Sequence, residues 1–322
     1  MSNRKVIRVV TGIHTRDGAG VKLTRVIGER DVRDFDPFLM LDAFDSRNPE
    51  DYIEGFPWHP HRGIETVTYL ISGDIEHGDS LCNKGSITDG SCQWMTAGGG
   101  ILHQEMPQPS EHMLGAQLWI NLPKKDKMTP PSYNDIKAHA IVKVEEDGAR
   151  VAIVSGEYKG KKAPMQGNFV KTTYLDVMLE PDREWQVETP VENTVFIYIV
   201  QGSLAVDGTV CESRRALLFD RAEKLALTAG SSGVRFLLLS AKPLNEPIAW
   251  AGPIVMNTRA ELERAFREIE PFAPHCQHIR HSPVHVQKIV PDTTIPFLLA
   301  GCIVCNKLHI QIHSPTHQNA AK

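Results

Sequence analysis

Val67-Thr68-Tyr69-Leu70-Ile71 is a β-branched and aromatic run that stops at Ser72-Gly73. Val195-Phe196-Ile197-Tyr198-Ile199-Val200 is a run of the same kind and stops at Gln201-Gly202. Val151 to Val154, Tyr174 to Leu179 and Val234 to Leu239 read in the same way. Side chains of this type suit a pleated surface, and turn residues bound each run. The 24 Gly and 21 Pro recur at short intervals between the runs. Many short strands with frequent turns predict an all-β sandwich or barrel.

The first two runs align with each other. Val67 to Gly73 falls on Phe196 to Gly202 at an offset of 129 residues, close to half of the chain before residue 272. A duplicated β domain would give that offset. The polar stretch from Lys137 to Gly148, after Pro130-Pro131, is the natural place for the boundary. The expected organisation is 1–140, 141–271 and a compositionally different tail, 272–322. One helix is expected before the tail. Thr258 and Glu261 form a capping-box pattern behind Asn257, then Leu262, Ala265, Phe266 and Ile269 recur at helical spacing before Pro271.

Composition narrows the function. Apolar residues make up 41% and the net charge is −4, so a core can form and a general nucleic-acid footprint is not expected. No leader-like apolar run and no long apolar span occurs, so neither secretion nor a membrane is expected. Six cysteines in 322 residues do not make a disulfide framework, and a reducing, cytoplasmic setting fits better. A monomer is expected. Lys124-Lys125-Asp126-Lys127 is too short for a nuclear-localisation run and reads as a solvated loop.

The 14 histidines are distributed unevenly. Seven lie from His14 to His139, seven from His275 to His317, and none from Ala140 to Pro274. Within the first group, His59 and His61 are two apart, and so are His103 and Glu105 behind Gly98-Gly99-Gly100. On an extended strand, residues i and i+2 face the same side. Two such strands meeting across a barrel would present three imidazoles and a carboxylate to one point. That set suits a divalent transition metal with open positions for catalysis, whereas a structural zinc site is closed and often cysteine-rich. The competing reading is that these are ordinary surface or core histidines satisfied by backbone carbonyls.

These residues also resemble a known family. Gly55, His59, His61, Glu65 and Gly73 match the first cupin motif, and Gly90, Thr96-Ala97-Gly98 and His103 resemble the second. Asp36-Pro37-Phe38-Leu39-Met40-Leu41-Asp42, His59-Pro60-His61-Arg62-Gly63, Gln93-Trp94-Met95-Thr96-Ala97-Gly98 and His103-Gln104-Glu105-Met106-Pro107 resemble pirins in particular. So do Leu118-Trp119-Ile120-Asn121-Leu122-Pro123 and Pro243-Leu244-Asn245-Glu246-Pro247. The resemblance spans about residues 3–270 and is densest in the first half.

It implies an all-β bicupin: two antiparallel jelly-roll barrels, a short C-terminal helix, and metal in the first barrel only. The family's ligands fall on His59, His61, His103 and Glu105. Glu65, a ligand in the general cupin motif, is a second candidate; its alternative is a strand residue pairing with Arg62 or a neighbour. The 129-residue offset maps His59, His61 and Glu65 onto Glu188, Pro190 and Thr194, so the second barrel cannot repeat the site.

The resemblance further implies one divalent metal, Fe(II) first, with Cu, Mn, Ni or Zn as alternatives. The implied activity is that of a quercetin 2,3-dioxygenase, in which O2 cleaves a flavonol and releases carbon monoxide. Glu105 would be a ligand or the base that deprotonates the flavonol hydroxyl. Phe56, Trp58, Met95, Ile101, Met106 and Trp119 are candidates to line a cavity for a planar aromatic, with core packing as the commoner fate of such residues. The alternative is a non-catalytic redox or metal sensor acting on a protein partner. In the tail, Cys302, Cys305, His309 and His313, and the cluster His275, Cys276, His278, His281 and His285, have poor metal-site spacing. Phe297 to Val304 is apolar enough to dock as a strand.

Overall fold

A computed structural model describes residues 2–269 and 311–313. The chain is all-β, as expected. Each of the five runs that read as strands lies within one: Ile64–Ser72, Thr194–Val206, Ala149–Ser155, Thr172–Leu179 and Lys224–Ala241. The tail motifs lie outside the described residues, apart from a short strand, Gln311–His313, paired antiparallel with Ile248–Ala251.

The first barrel has two facing sheets. Seven strands run in the order Ser132–Ile136, Cys92–Thr96, Ile64–Ser72, Met113–Asn121, Phe38–Ser46, Val21–Ile27, Ile13–Asp17. The opposing sheet has four, in the order Phe56–His61, Ile101–Pro107, Ile75–Asp79, Lys84–Ile87. The second barrel is one nine-stranded sheet that includes Thr194–Val206 and the 18-residue strand Lys224–Ala241. Trp185, Phe236 and Tyr158 fill its interior with aliphatic neighbours.

The internal repeat has a topological counterpart. Ile64–Ser72 lies between Cys92–Thr96 and Met113–Asn121, and Thr194–Val206 lies between Arg215–Phe219 and Lys224–Ala241. Ile64–Ser72 ends at Gly73, with φ +121°, and Thr194–Val206 runs through Gly202, with φ +76°, conformations that L side chains rarely adopt.

The N-terminus crosses over. Val6–Thr11 adds to the second barrel by pairing with Arg215–Phe219. Buried Arg4 anchors it there through Thr189, Pro190 and Asp220.

The seven-stranded sheet has two buried faces, and strand alternation decides what each does. Val67, Tyr69, Trp94, Ala116, Leu118 and Ile120 pack against Tyr174, Phe196, Leu237 and Leu239 of the second barrel. Thr66, Thr68, Gln93 and Gln117 are one residue out of phase with them and face the four-stranded sheet. Tyr69 Oη donates to Asp176 Oδ2 across the interface at 2.8 Å, and Arg235 holds the same carboxylate from the side.

The expected helix forms at Arg259–Ile269. Its capping box is closed: Glu261 N–H donates to Thr258 Oγ1, and Thr258 N–H donates to Glu261 Oε2. Leu262 and Ala265 are buried against Ala249, Ala251, Ile254 and Met256. The Lys-rich turn differs from expectation. Lys124–Asp126 is a short 3-10 turn, but Lys127 is buried and donates to Gly63 O, Asn121 Oδ1 and Val255 O. Those three acceptors match the three N–H bonds of an ammonium, which is why a lysine can sit there.

Candidate metal centre

Phe56–His61 and Ile101–Pro107 pair antiparallel, with His103 opposite His59. Alternation points His59, His61 and His103 into the space between the two sheets. All three are buried, and their ligand atoms lie within 4.8 Å of one another. The rings crowd together, with His59 and His103 centroids 4.3 Å apart and His61 and His103 centroids 5.0 Å apart.

The hydrogen bonds fix two tautomers. His59 Nδ1 is 2.8 Å from Pro57 O, and His61 Nδ1 is 3.3 Å from Pro253 O. A carbonyl oxygen only accepts, so each Nδ1 carries a proton, and in the neutral ring each Nε2 then presents a lone pair. Those two Nε2 atoms are 3.1 Å apart. With no proton between them, their lone pairs repel. Neither ring nitrogen of buried His103 has a hydrogen-bond partner among the described residues.

Burial holds His59 below the usual imidazole range. Burial and the neighbouring rings hold His61 and His103 well below it. Three neutral imidazoles with converging lone pairs and an orphaned third ring are the donor set a divalent cation satisfies. The chemistry of the residues therefore fits a metal ion.

Glu105 is buried on the same strand face but stands apart from the three-histidine group. Thr68 Oγ1 donates to its Oε1 at 3.0 Å, and Gln117 Nε2 reaches both its oxygens at 3.0 and 2.8 Å. Gln117 in turn accepts from Trp119 Nε1. Burial raises the Glu105 pKa, partly opposed by Gln117 and Thr68.

Glu65 faces the other way. It shares the phase of Val67 and Tyr69, accepts from Thr96 Oγ1 at 2.7 Å, and sits at the interface of the two barrels. Asn168 of the second barrel donates to the same Thr96 hydroxyl.

The candidate cavity residues mostly pack. Met95, Ile101 and Trp119 belong to a core cluster with Ile64 and Trp250. Trp119 also lies edge-on to His61 at 4.9 Å, and Phe56 lies 6.5 Å from His59. Thr68, Gln117 and Pro253 were not among the candidate residues. A lone Gln inside the otherwise non-polar run 113–120 is a readable signal; the Pro253 contact leaves none.

An all-β bicupin with a three-histidine candidate metal centre in its first barrel is the class that fold and site define. The Pirin family model matches residues 20–120, and that of the Pirin C-terminal cupin domain matches residues 174–272. The chain belongs to the pirin family. A Pseudomonas aeruginosa protein provisionally named a quercetin 2,3-dioxygenase is 43% identical over 275 residues, spanning 82% of this chain and 96% of its own length. Human pirin is 36% identical, spanning 82% of this chain and 91% of its own. The crystal structure of a quercetin 2,3-dioxygenase from Acinetobacter baumannii superposes with a TM-score of 0.78 at 30% identity, covering 84% of this chain and 98% of that one.

Proposed function

We propose that this pirin is a metal-dependent oxygenase of the quercetin 2,3-dioxygenase type, acting with O2 on a flavonol-like aromatic. The observation that carries the reading is the convergence of His59 Nε2 and His61 Nε2, 3.1 Å apart, beside the ring of His103, which has no hydrogen-bond partner among the described residues. These three residues would hold one divalent transition metal, Fe(II) first. When bound, such a metal lowers the pKa of a coordinated hydroxyl.

Glu105 is the base in this reading, with coordination as its alternative role. Burial raises its proton affinity, and Gln117 and Thr68 hold its two oxygens in one orientation. Phe56, half-buried beside His59, offers a ring to a planar substrate, while Trp119 packs edge-on against His61 and backs it. The related dioxygenase structure and the relative named for the same activity support the substrate class. We also propose the division 1–140, 141–271 and 272–322, a monomeric state and a cytoplasmic setting.

The deciding experiment measures metal content together with loss of quercetin and release of carbon monoxide. One metal per chain with flavonol turnover supports the reading. A fully metallated chain inert toward flavonols supports a metal-sensing role instead.

A further inference from the structure

The residues that follow Lys224–Ala241, the last strand of the nine-stranded sheet, return to the first barrel. Ile248–Ala251 and Ile254–Met256 form a hairpin, and the helix Arg259–Ile269 packs on it. This strap lies against the strand end that carries His61. Arg62 N–H donates to Pro253 O at 3.4 Å, and Val255 N–H donates to Arg62 O at 3.0 Å. Pro253 O also accepts from His61 Nδ1.

Three further contacts hold the strap in place. Lys127 Nζ ties Val255 O at 2.9 Å to Gly63 O at 2.7 Å. Arg62 Nη1 pairs with Glu268 Oε2 on the helix at 2.7 Å, while Arg264 holds the other Glu268 oxygen. Trp250 lies 5.9 Å from Trp119, whose ring is the one set edge-on to His61. The approach is close enough that a Cβ at Gly63 would run into Val255 O.

The three imidazoles are thus supported unequally. His59 is oriented by Pro57, two residues away on its own strand. His61 is oriented by Pro253, 192 residues away. His103 has no hydrogen-bond partner among the described residues.

We propose that the strap is a positioning element for the metal centre: Pro253 O selects the Nδ1–H tautomer of His61, and Lys127 and the Arg62–Glu268 pair keep that carbonyl in register. The inference rests on the metal-binding reading of the three histidines. Partners that orient a ligating histidine typically change metal affinity about 10- to 100-fold when lost. Linkage runs both ways, so a metal on His61 stabilises the docked strap.

The test uses the full chain and Co(II) as the probe. Lys127→Met should weaken Co(II) binding by about 10-fold or more and alter the visible Co(II) spectrum. Glu268→Gln, a change at the partly exposed end of the clamp, should do so to a smaller degree, with Glu268→Asp partly restoring the spectrum. In the parent chain, amide exchange across residues 248–257 should slow when Co(II) is added. Wild-type affinity and spectrum in Glu268→Gln, together with metal-independent exchange of the strap, overturn the proposal even if Lys127→Met fails to fold. Absence of Co(II) binding by the parent chain overturns the metal reading itself; binding by the parent with unaltered variants overturns the strap's role alone.

Discussion

His59 and His61 meet through their Nε2 atoms at 3.1 Å, with ring planes at 85°, while each Nδ1 is held by a proline carbonyl. Between two neutral rings the contact cannot be a hydrogen bond without breaking one of the two outer ones, and burial holds both rings below the usual imidazole range. A cation between the rings resolves it. His61→Ala should therefore lower metal affinity by more than about 100-fold, beyond the usual cost of losing an outer-sphere partner. Metal content after dialysis checks this, and full stoichiometry in the variant would remove His61 from the ligand set.

Glu105 lies outside the three-histidine group and in the grip of Gln117 and Thr68. As a base, its replacement should leave the metal and remove the chemistry. Glu105→Gln should keep metal affinity within about tenfold and reduce flavonol turnover by about 100-fold or more. Parallel metal titration and single-turnover kinetics separate the roles. A loss of metal equal to that in His61→Ala would make Glu105 a ligand instead.

Glu65 supplies a pH dependence. Burial lifts its pKa to about 7 from an ordinary 4.5, against the opposing hydrogen bonds, of which that from Thr96 is the largest. Below about pH 4.5, folded and unfolded chains both carry the proton. Between about 4.5 and 7, only the folded chain keeps it, so this group's contribution to stability falls as pH rises through that window. Glu65→Gln removes the effect. Its stability relative to the parent should rise by about 3 kcal/mol between pH 4.5 and 8. Urea unfolding of both proteins at the two pH values measures it, and a pH-independent difference would sink the prediction.

Tyr69 and Asp176 couple the barrels. Tyr69→Phe deletes the hydroxyl that reaches Asp176 but leaves Arg235 in place. Hydrogen bonds to charged groups contribute about 1.5–3 kcal/mol, so stability should fall by that order. Chemical denaturation checks this. No loss would show that Arg235 alone satisfies the carboxylate.

What was legible in the chain was what depends on neighbours in sequence. Strand alternation places His59 with His61, and it places His103 and Glu105 on one face. The capping box of Thr258 and Glu261 closes as its spacing requires. The same logic could not say which face of Ile64–Ser72 meets the metal, so Glu65 reads as a ligand candidate until its strand is seen packed between two layers. Lys127 reads as solvated because a lysine usually is; three converging acceptors reverse that.

The sequence by itself therefore determined the all-β class, the repeat, the capped helix and the histidines that converge. Periods of 2 and 3.6 residues are local geometry. Only the tertiary structure decided that Val6–Thr11 joins the second barrel, that Glu65 serves the interface and that Glu105 is held by Gln117. It also decided that a carbonyl at Pro253 orients His61. Each of these joins groups far apart in the chain, and their meeting depends on how whole sheets stack, which no short-range pattern encodes.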